Sequence, residues 1–305
     1  MNALGMNSHL LIEGNAGTGK TLLATEFARQ RAENGDKVLY LTFNKNLANN
    51  INAHIRNVEN LKVINIHALF GTYISVDVNK MEENPQKYFG EVLPEQFLDW
   101  MSALSENEAD ALKYDLLVMD EGQDIIKPVY LYALDCILKK GFENGNWAIF
   151  YDEKQNIYNP EYSEGMELIE SYSSTRFKLF INCRNTVQIG TYSSKTSGVE
   201  INEFLHENGE EVQEIIYSDK TDFKHKVKDI LKHLRAEKVD LTDVVFLAPK
   251  KYSNSILNEM EIDVNELGDK FDFNSLLPRY ATIQGFKGLD AKIVILVDID
   301  NISDK

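Results

Sequence analysis

Cysteine, metal-ligand spacings and long apolar runs are scarce in this sequence, and each scarcity narrows the class of protein. The only cysteines, Cys136 and Cys183, lie far apart and fit no C-x-x-C spacing, so we interpret them as reduced thiols. The six histidines form no metal-ligand pattern. No apolar run approaches the roughly 20 residues of a membrane helix, and the chain opens as strand and loop rather than as a secretory signal. These observations predict a cytoplasmic protein without a membrane span.

Positive charge is also scarce. The 32 lysines and arginines stand against 48 aspartates and glutamates, which gives a net charge of −16. This balance argues against a protein that coats nucleic acid through general basicity. It leaves open a nucleic-acid partner held in one groove, because the charge that matters is the charge lining that groove. The 305 residues, 43% of them hydrophobic, suffice for about two domains with cores.

Strand-like and helix-like segments alternate over residues 1–180. Short runs such as LLIE, VLYLTF, LKVINI, YDLLVMD and WAIFYD are separated by helical stretches such as TLLATEFARQRAE. This order predicts an α/β fold whose parallel sheet is covered on both faces. The acidic, helical stretch at about 77–113 interrupts the alternation, and we interpret it as a small helical insertion.

A second α/β unit is predicted over residues 181–305. Its expected elements are an RNTVQIGTY helix, a hairpin within SGVEINEFLHENGEEVQEIIYS, a KHKVKDILKHLRAE helix, a VVFLAP strand and a strand–turn–strand in RYATIQGFKGLDAKIVILVDID. The sequence therefore predicts two domains, 1–180 and 181–305.

The stretch GNAGTGKT follows the apolar run HLLIE and has the spacing of a phosphate-binding loop. Glycines let backbone amides curl around phosphate oxygens, and the helix that follows points its positive end at the same anion. Lys20 would reach the β- and γ-phosphates, and Thr21 would ligate Mg²⁺. The flanking strand and helix argue against an ordinary glycine-rich turn. The predicted nucleotide site comprises Gly14, Ala16, Gly17, Thr18, Gly19, Lys20 and Thr21.

The stretch VMDEGQD places two carboxylates at the end of an apolar strand. Asp120 can hold Mg²⁺, and Glu121 can activate a water that attacks the γ-phosphate. The alternative is a solvated acidic turn. Adjacent Asp and Glu also argue against a small-molecule kinase, which has to exclude a hydrolytic water.

The stretch YDEKQNIY follows another strand and carries Gln155. If that strand lies beside the strand that ends at Asp120, Gln155 lies near the γ-phosphate and can sense whether it is present. A polar loop glutamine is the alternative.

In order along the chain, GNAGTGKT, LYLTFNKNLA, INIHALF, LLVMDEGQD, IFYDEKQNIY, INCRN and TIQGFKGLDAKIVIL resemble the motifs of superfamily 1 helicases. The pattern is most similar to the UvrD/Rep-type branch, in particular to bacterial helicases fused to nuclease-related domains. The resemblance covers nearly the whole chain. It implies two RecA-like domains, with ATP and Mg²⁺ bound between them and single-stranded DNA or a DNA junction as the partner.

The resemblance also implies roles for individual residues. Arg184 would be an arginine finger that reaches the γ-phosphate from the second domain and stabilises charge there. Gly288 and Asp290 would face the nucleotide or couple it to DNA, although relatives usually carry Glu where Asp290 stands. The residues expected to contact DNA are Phe43, Asn44, Lys45, His67, Tyr158, Thr282 and Lys287. Phe43 and Tyr158 offer rings for base stacking, whereas partial burial of these aromatics in the core is the plain alternative.

Two helicase motifs are not found in the chain. Relatives carry an adenine-reading glutamine ahead of the phosphate loop, and a further motif with a second arginine finger after the last strand. We therefore interpret the chain as an excised core with an incomplete second domain, in preference to a natural degenerate ATPase. This interpretation predicts weak nucleotide binding and slow hydrolysis.

Two functions remain open at this point. The first is an ATP-dependent DNA helicase or translocase. The second is an ATP-driven switch that binds nucleic acid or a partner without unwinding, as part of a repair or defence complex. No nuclease motif is visible, so any cleavage would need a fused or associated nuclease domain.

Overall fold

The computed structural model describes residues 7–55, 58–155, 160–198, 203–206, 208–268, 271–272 and 274–299. The chain forms two compact units, Met1–Val212 and Gln213–Lys305. The first unit thus extends beyond residue 180, where the sequence predicts the domain boundary, because the segment that follows residue 180 packs against the phosphate loop. No described helix is both long enough and apolar enough to cross a membrane.

The first unit is built on a six-stranded parallel sheet with the order β3-β2-β4-β5-β1-β6. Its strands are β1 (His9–Gly14), β2 (Val38–Thr42), β3 (Leu61–Asn65), β4 (Leu116–Met119), β5 (Asn146–Tyr151) and β6 (Thr175–Leu179). β2 and β4 are buried along their whole length, as expected for a parallel sheet covered on both faces. The predicted α/β fold with a parallel sheet is confirmed.

Helices cover this sheet and connect its strands. They are α1 (Lys20–Glu33), α2 (Lys45–His54), α3 (Ile66–Tyr73), α4 (Val78–Glu83), α5 (Pro85–Lys87), α6 (Leu93–Ser102), α7 (Glu106–Leu112), α8 (Pro128–Ile137), α9 (Gly141–Asn144) and α10 (Pro160–Ser171), with a π-helical turn at Tyr88–Val92. Short side-chain caps fix several helix starts. For example, Asn65 accepts from the backbone N–H of Ala68 at the start of α3.

The predicted helical insertion comprises α4 to α7 and packs onto the core of the first unit. Tyr88, Leu93 and Phe97 are fully buried. Phe97 contacts Phe70 of α3, with ring centroids 5.0 Å apart. The insertion therefore shares a hydrophobic core with the sheet and is held rigidly beside the strand ends that it overlies.

Beyond β6 the chain forms a small parallel pair, β7 (Asn182–Thr186) and β8 (Phe204–His206), with α11 (Val187–Ser197) between them. The predicted RNTVQIGTY helix is wrong in its first three residues, which lie in β7. The Asn182 side chain accepts from the backbone N–H groups of Arg184 and Asn185, and this holds the segment out of a helix. The predicted hairpin is also wrong for the described residues, since β8 pairs in parallel with β7 and residues 208–217 are irregular.

The second unit contains a four-stranded parallel sheet with the order β10-β11-β9-β12. Its strands are β9 (Val244–Ala248), β10 (Asn265–Glu266), β11 (Arg279–Thr282) and β12 (Ile293–Leu296), and its helices are α12 (Lys220–Ala236) and α13 (Ile256–Glu259). Phe246 and Tyr280 are fully buried at its centre. The predicted strand–turn–strand is present, with β9 lying between its two strands.

Candidate nucleotide and nucleic-acid site

The loop between β1 and α1 has the backbone shape of a phosphate cradle. Gly17 and Gly19 both adopt left-handed backbone conformations, with φ of 82° and 83°, which favour glycine. Gly19 is the N-cap of α1, so the first backbone N–H groups of that 14-residue helix point into the loop. Ala16 is exposed in this loop, whereas the buried residues are Gly14, Gly17 and Thr18.

Lys20 lies inside this loop and is only 5% exposed. Its ammonium group donates to the carbonyl oxygens of Gly14, at 2.8 Å, and Asn15, at 3.1 Å. A lysine has three donors, so one is left for an anion after these two contacts. The carbonyls of Gly14 and Asn15 hold the Lys20 ammonium group in the phosphate loop, where a phosphate oxygen would accept from it.

Asp120 and Thr21 supply oxygen ligands of the kind that Mg²⁺ prefers. Asp120 follows β4 directly and is completely buried. Burial, followed by the charge of Glu121, raises the pKa of Asp120 to about 6, while hydrogen bonds from Thr21 and Tyr40 lower it. A buried carboxylate in contact with a threonine hydroxyl fits a magnesium site, because a bound cation compensates the buried charge.

Glu121 is held in an uncommon backbone conformation. Its φ and ψ are 53° and 44°, left-handed values that a non-glycine residue adopts only when its surroundings impose them. Its backbone N–H donates to Asp120 Oδ1 at 3.0 Å. Its carboxylate accepts from the Nε2 of Gln123 at 2.6 Å. Glu121 is therefore fixed at both its backbone and its side chain.

Gln155 joins the same hydrogen-bonded group. Because β5 lies between β1 and β4 in the sheet, residues that follow β5 come to the edge where the phosphate loop and Asp120 lie. Gln155 Oε1 accepts from Gln123 Nε2 at 3.3 Å, and Gln155 Nε2 donates to Asp152 Oδ2 at 2.8 Å. The backbone N–H of Asp152 in turn donates to Gln123 Oε1 at 3.0 Å.

Arg184 is exposed and lies on β7, in the first compact unit. The neighbouring residues attach this strand to the phosphate loop. The N–H of Cys183 donates to the Gly17 carbonyl at 2.8 Å, and Asn182 Nδ2 donates to the Ala16 carbonyl at 3.3 Å. The residues that precede Arg184 thus tie its backbone to the phosphate loop.

Two of the predicted nucleic-acid residues of the first unit, Phe43 and His67, belong to one aromatic cluster. Phe43 follows β2, is 38% exposed and meets the His67 ring edge-on at 5.0 Å. His67 stacks on Phe89 of the insertion at 4.7 Å, and its Nε2 lies 3.0 Å from the Tyr130 hydroxyl. Burial, with a smaller contribution from the charge of Lys127, lowers the pKa of His67 to about 4. His67 is therefore neutral near pH 7, and its ring packs against the Phe43 ring.

The other residues of this set have mixed surroundings. Asn44 is the N-cap of α2, and its side chain accepts from the backbone of Asn46 and Leu47. Lys45 is the first residue of that helix, at the same edge of the sheet. Tyr158 lies outside the described residues.

The predicted residues of the second unit lie in the segment that joins β11 to β12. Thr282 ends β11 and accepts, through its hydroxyl, from the N–H of Gly285 at 3.0 Å. Lys287 follows in the next turn, and Gly288 has a φ of 81°. Asp290 is exposed, and its carbonyl accepts from Arg279, the first residue of β11, at 3.4 Å. Because β11 and β12 are both parallel to β9, the segment runs from the carboxyl end of β11 back toward its amino end, and Thr282 and Asp290 lie toward opposite ends of the sheet.

Sequence reasoning missed several residues that organise the site, namely Tyr40, Phe89, Gln123, Tyr130, Asp152 and Asn182. Gln123 and Asn182 lie within the quoted stretches DEGQD and NCRN, so their position was a signal. Tyr40 lies in an apolar strand and Phe89 in the insertion, and neither carries a local signal for a site.

The candidate nucleotide site thus combines a phosphate-binding loop, the buried Asp120 with the partly buried Glu121, and a glutamine that follows the strand between them. The chain belongs to the family described as Schlafen group 3, DNA/RNA helicase domain, whose model matches residues 7–240. The predicted helicase core is thereby confirmed, and the finer UvrD/Rep-like assignment stays a prediction.

Other comparisons are more distant. No curated protein matches the chain. A solved chain from a study of DNA unwinding at forked double-stranded DNA by two coordinating Pif1 helicases matches with a TM-score of 0.41 and 14% identity. The match covers 83% of this chain and 54% of the Pif1 chain, so this chain spans about half the length of that protein.

Proposed function

We propose that this helicase domain hydrolyses ATP and uses the energy to move along single-stranded DNA. The observation that carries the proposal is the hydrogen-bonded group that joins Glu121, Gln123 and Gln155 beside the phosphate loop. A nucleotide-binding protein with no hydrolytic role needs no carboxylate held in a left-handed backbone conformation next to a buried metal-binding carboxylate.

The residues of the first unit have distinct roles in this proposal. Lys20 binds the β- and γ-phosphates, and Thr21 and Asp120 hold Mg²⁺, which neutralises charge on the phosphates. Glu121 orients the attacking water and accepts its proton. Gln155 senses the γ-phosphate, and its hydrogen bonds couple the state of that group to Asp152 and Gln123. Arg184 stabilises charge on the transferred group.

The nucleic acid is proposed to bind across the ends of β2 and β3. Phe43 presents a partly exposed ring for base stacking, and Lys45 adds positive charge there. Contacts of Thr282 and Lys287 with the nucleic-acid backbone remain predictions from the sequence. A DNA junction as substrate, an associated nuclease domain and a cytoplasmic location remain predictions from the sequence.

ATP turnover with and without single-stranded DNA tests the proposal. We expect single-stranded DNA to stimulate turnover, and Lys20→Ala and Glu121→Gln to abolish the stimulated rate. Glu121→Gln should still bind nucleotide, because it keeps the shape of the side chain and removes only the base. Equal turnover by the wild-type protein and Lys20→Ala would refute the assigned site.

Strand displacement on a forked duplex then separates the motor from the switch. Displacement that depends on ATP supports a helicase. Nucleotide-dependent DNA affinity without displacement would instead identify an ATP-driven switch. A parallel series with single-stranded RNA of the same sequence determines which nucleic acid stimulates turnover.

A further inference from the structure

Tyr40 is a completely buried tyrosine in the middle of β2, and its hydroxyl contacts the candidate magnesium carboxylate. The hydroxyl lies 3.0 Å from Asp120 Oδ2. On its other side, Thr25 Oγ1 of α1 donates to the same hydroxyl at 3.4 Å. A chain of hydrogen bonds thus runs from the phosphate-loop helix through β2 to β4.

A phenol at this position calls for a physical reason. Every residue of β2 is buried, and the strand otherwise consists of Val, Leu and Thr side chains. Burying a hydroxyl costs free energy unless it is hydrogen-bonded, so a phenylalanine would fill the same space at lower cost. The hydroxyl donates to Asp120 Oδ2 at 3.0 Å, and this hydrogen bond compensates its burial.

The two oxygens of Asp120 accept hydrogen bonds from different donors. Oδ1 accepts from the N–H of Glu121, and Oδ2 accepts from Tyr40. Thr21 makes a further hydrogen bond to the same carboxylate. The contact with Glu121 comes from the adjacent residue and moves with Asp120, so Tyr40 provides a fixed reference from a neighbouring strand.

We propose that Tyr40 is a positioning residue that fixes the carboxylate of Asp120 in the orientation needed to bind Mg²⁺ with the nucleotide. Thr25 supports Tyr40 in turn. The inference rests on the proposed nucleotide site and adds to it a residue that touches neither the nucleotide nor the metal. Outer hydrogen-bond partners of metal ligands tune metal affinity in this way.

Tyr40→Phe tests the proposal, because it removes the hydroxyl and keeps the ring. The measurement is the affinity for a fluorescent ADP analogue (mant-ADP), titrated once in excess Mg²⁺ and once in EDTA. We expect unchanged affinity in EDTA and about a tenfold loss of the affinity gained from Mg²⁺, the effect of losing one hydrogen bond to a charged group. The Mg²⁺ concentration for half-maximal binding should rise by a similar factor.

Tyr88→Phe is the matched control. Tyr88 is equally buried, and its hydroxyl accepts from the N–H of Asp77 in the insertion. This variant loses a buried hydroxyl of the same kind and should keep the wild-type Mg²⁺ dependence. Thr25→Val removes only the hydroxyl that donates to Tyr40, so it should shift the Mg²⁺ dependence less than Tyr40→Phe does. This variant keeps the proposal testable if Tyr40→Phe does not fold.

The outcomes separate the inference from the proposed function. Wild-type Mg²⁺ dependence in folded Tyr40→Phe overturns the positioning role and leaves the nucleotide site intact. If Tyr40→Phe does not fold, wild-type Mg²⁺ dependence in Thr25→Val overturns it. Equal losses in Mg²⁺ and in EDTA would show a general distortion of the loop and also overturn it. Failure of the wild-type protein to bind mant-ADP in either condition would refute the proposed nucleotide site and the inference with it.

Discussion

The side-chain amide of Gln123 donates to Glu121 Oε2 over 2.6 Å. Gln123 is 1% exposed and Glu121 is half-buried, so the contact is partly shielded from water. The same amide nitrogen donates to Gln155, and the amide oxygen accepts from the backbone of Asp152. Gln123 therefore connects Glu121, the candidate catalytic base, to Asp152 and Gln155, which follow β5.

Gln123→Leu should lower the turnover number while leaving the KM for ATP nearly unchanged. Leucine has a similar volume and cannot orient Glu121, so the loss falls on the chemical step. We expect a decrease of roughly 10- to 100-fold, the lower part of the range for general-base catalysis. Steady-state ATP hydrolysis with saturating single-stranded DNA measures both constants.

Gln30→Leu is the control for this change. Gln30 Nε2 donates to Glu26 Oε1 at 2.6 Å on the outer face of α1, so the same chemical group is removed away from the site. The role of Gln123 would be wrong if the two variants lost turnover equally, or if Gln123→Leu changed the KM alone.

Gly17→Ala should weaken nucleotide binding and lower stability. Its φ of 82° disfavours any side chain, and a Cβ there would lie 2.7 Å from Asn182 Oδ1. Together these effects should cost about 1–3 kcal/mol. Thermal unfolding and nucleotide titration provide the two measurements.

Gly35→Ala separates the two causes. Gly35 has a φ of 100°, and a Cβ there would meet nothing within 4 Å, so its substitution reports backbone strain alone. Asn182→Ala in the Gly17→Ala background should recover part of the loss, because it removes the crowded side chain. A double variant with simply additive losses would contradict the proposed contact between the loop and β7.

Phe43→Ala should weaken binding of single-stranded DNA by roughly 1–3 kcal/mol, the contribution of one base stacked on an aromatic ring. Fluorescence anisotropy with a labelled oligothymidine measures the effect. Phe177→Ala on β6 is matched for exposure, since both rings are 38% exposed. Equal losses in the two variants would point to a nonspecific effect and against stacking at Phe43.

The parallel-sheet α/β fold was accessible from the sequence because it depends on local patterns. Apolar runs such as those of β2 and β4 are typical of buried parallel strands, and carboxyl ends of parallel strands share one edge. The strand order was not predicted, and the sequence placed Gln155 near the γ-phosphate only on the condition that its strand lies beside the strand that ends at Asp120. The spacing of Gly14, Lys20 and Thr21 by itself indicated a phosphate-binding loop.

The rest depends on contacts between residues distant in sequence. Residues 184–186 of β7 were expected to begin a helix. The hydrogen bonds of the Asn182 side chain, together with the contact of Cys183 with Gly17, hold them in a strand instead. Tyr40 and Asp120 are separated by 80 positions, and nothing in an apolar strand shows that its tyrosine meets a carboxylate. The Phe89–His67 stack likewise forms only when the insertion packs against α3.

His67 should make the protein less stable in acid. Its pKa is lowered to about 4 from an ordinary value of 6.5, so between these values the unfolded chain binds the proton that the folded chain excludes. The stability contribution of this site is therefore complete above about pH 6.5 and is lost as the pH falls toward 4. Tm measured from pH 7.5 to 4.5 should fall more steeply in the wild-type protein than in His67→Gln, whose side chain stays neutral throughout.

His54→Gln tests whether this effect belongs to the buried ring. His54 is exposed on α2, where its Nδ1 lies 2.8 Å from the Asn50 carbonyl, so its replacement should leave the slope of Tm against pH as in the wild-type protein. Parallel curves for wild-type and His67→Gln proteins would show that His67 is accessible to protons in the folded state. In that case the His67 ring would not be buried between Phe43 and Phe89. Phe43 would then lack the packing contact that fixes it as a stacking surface.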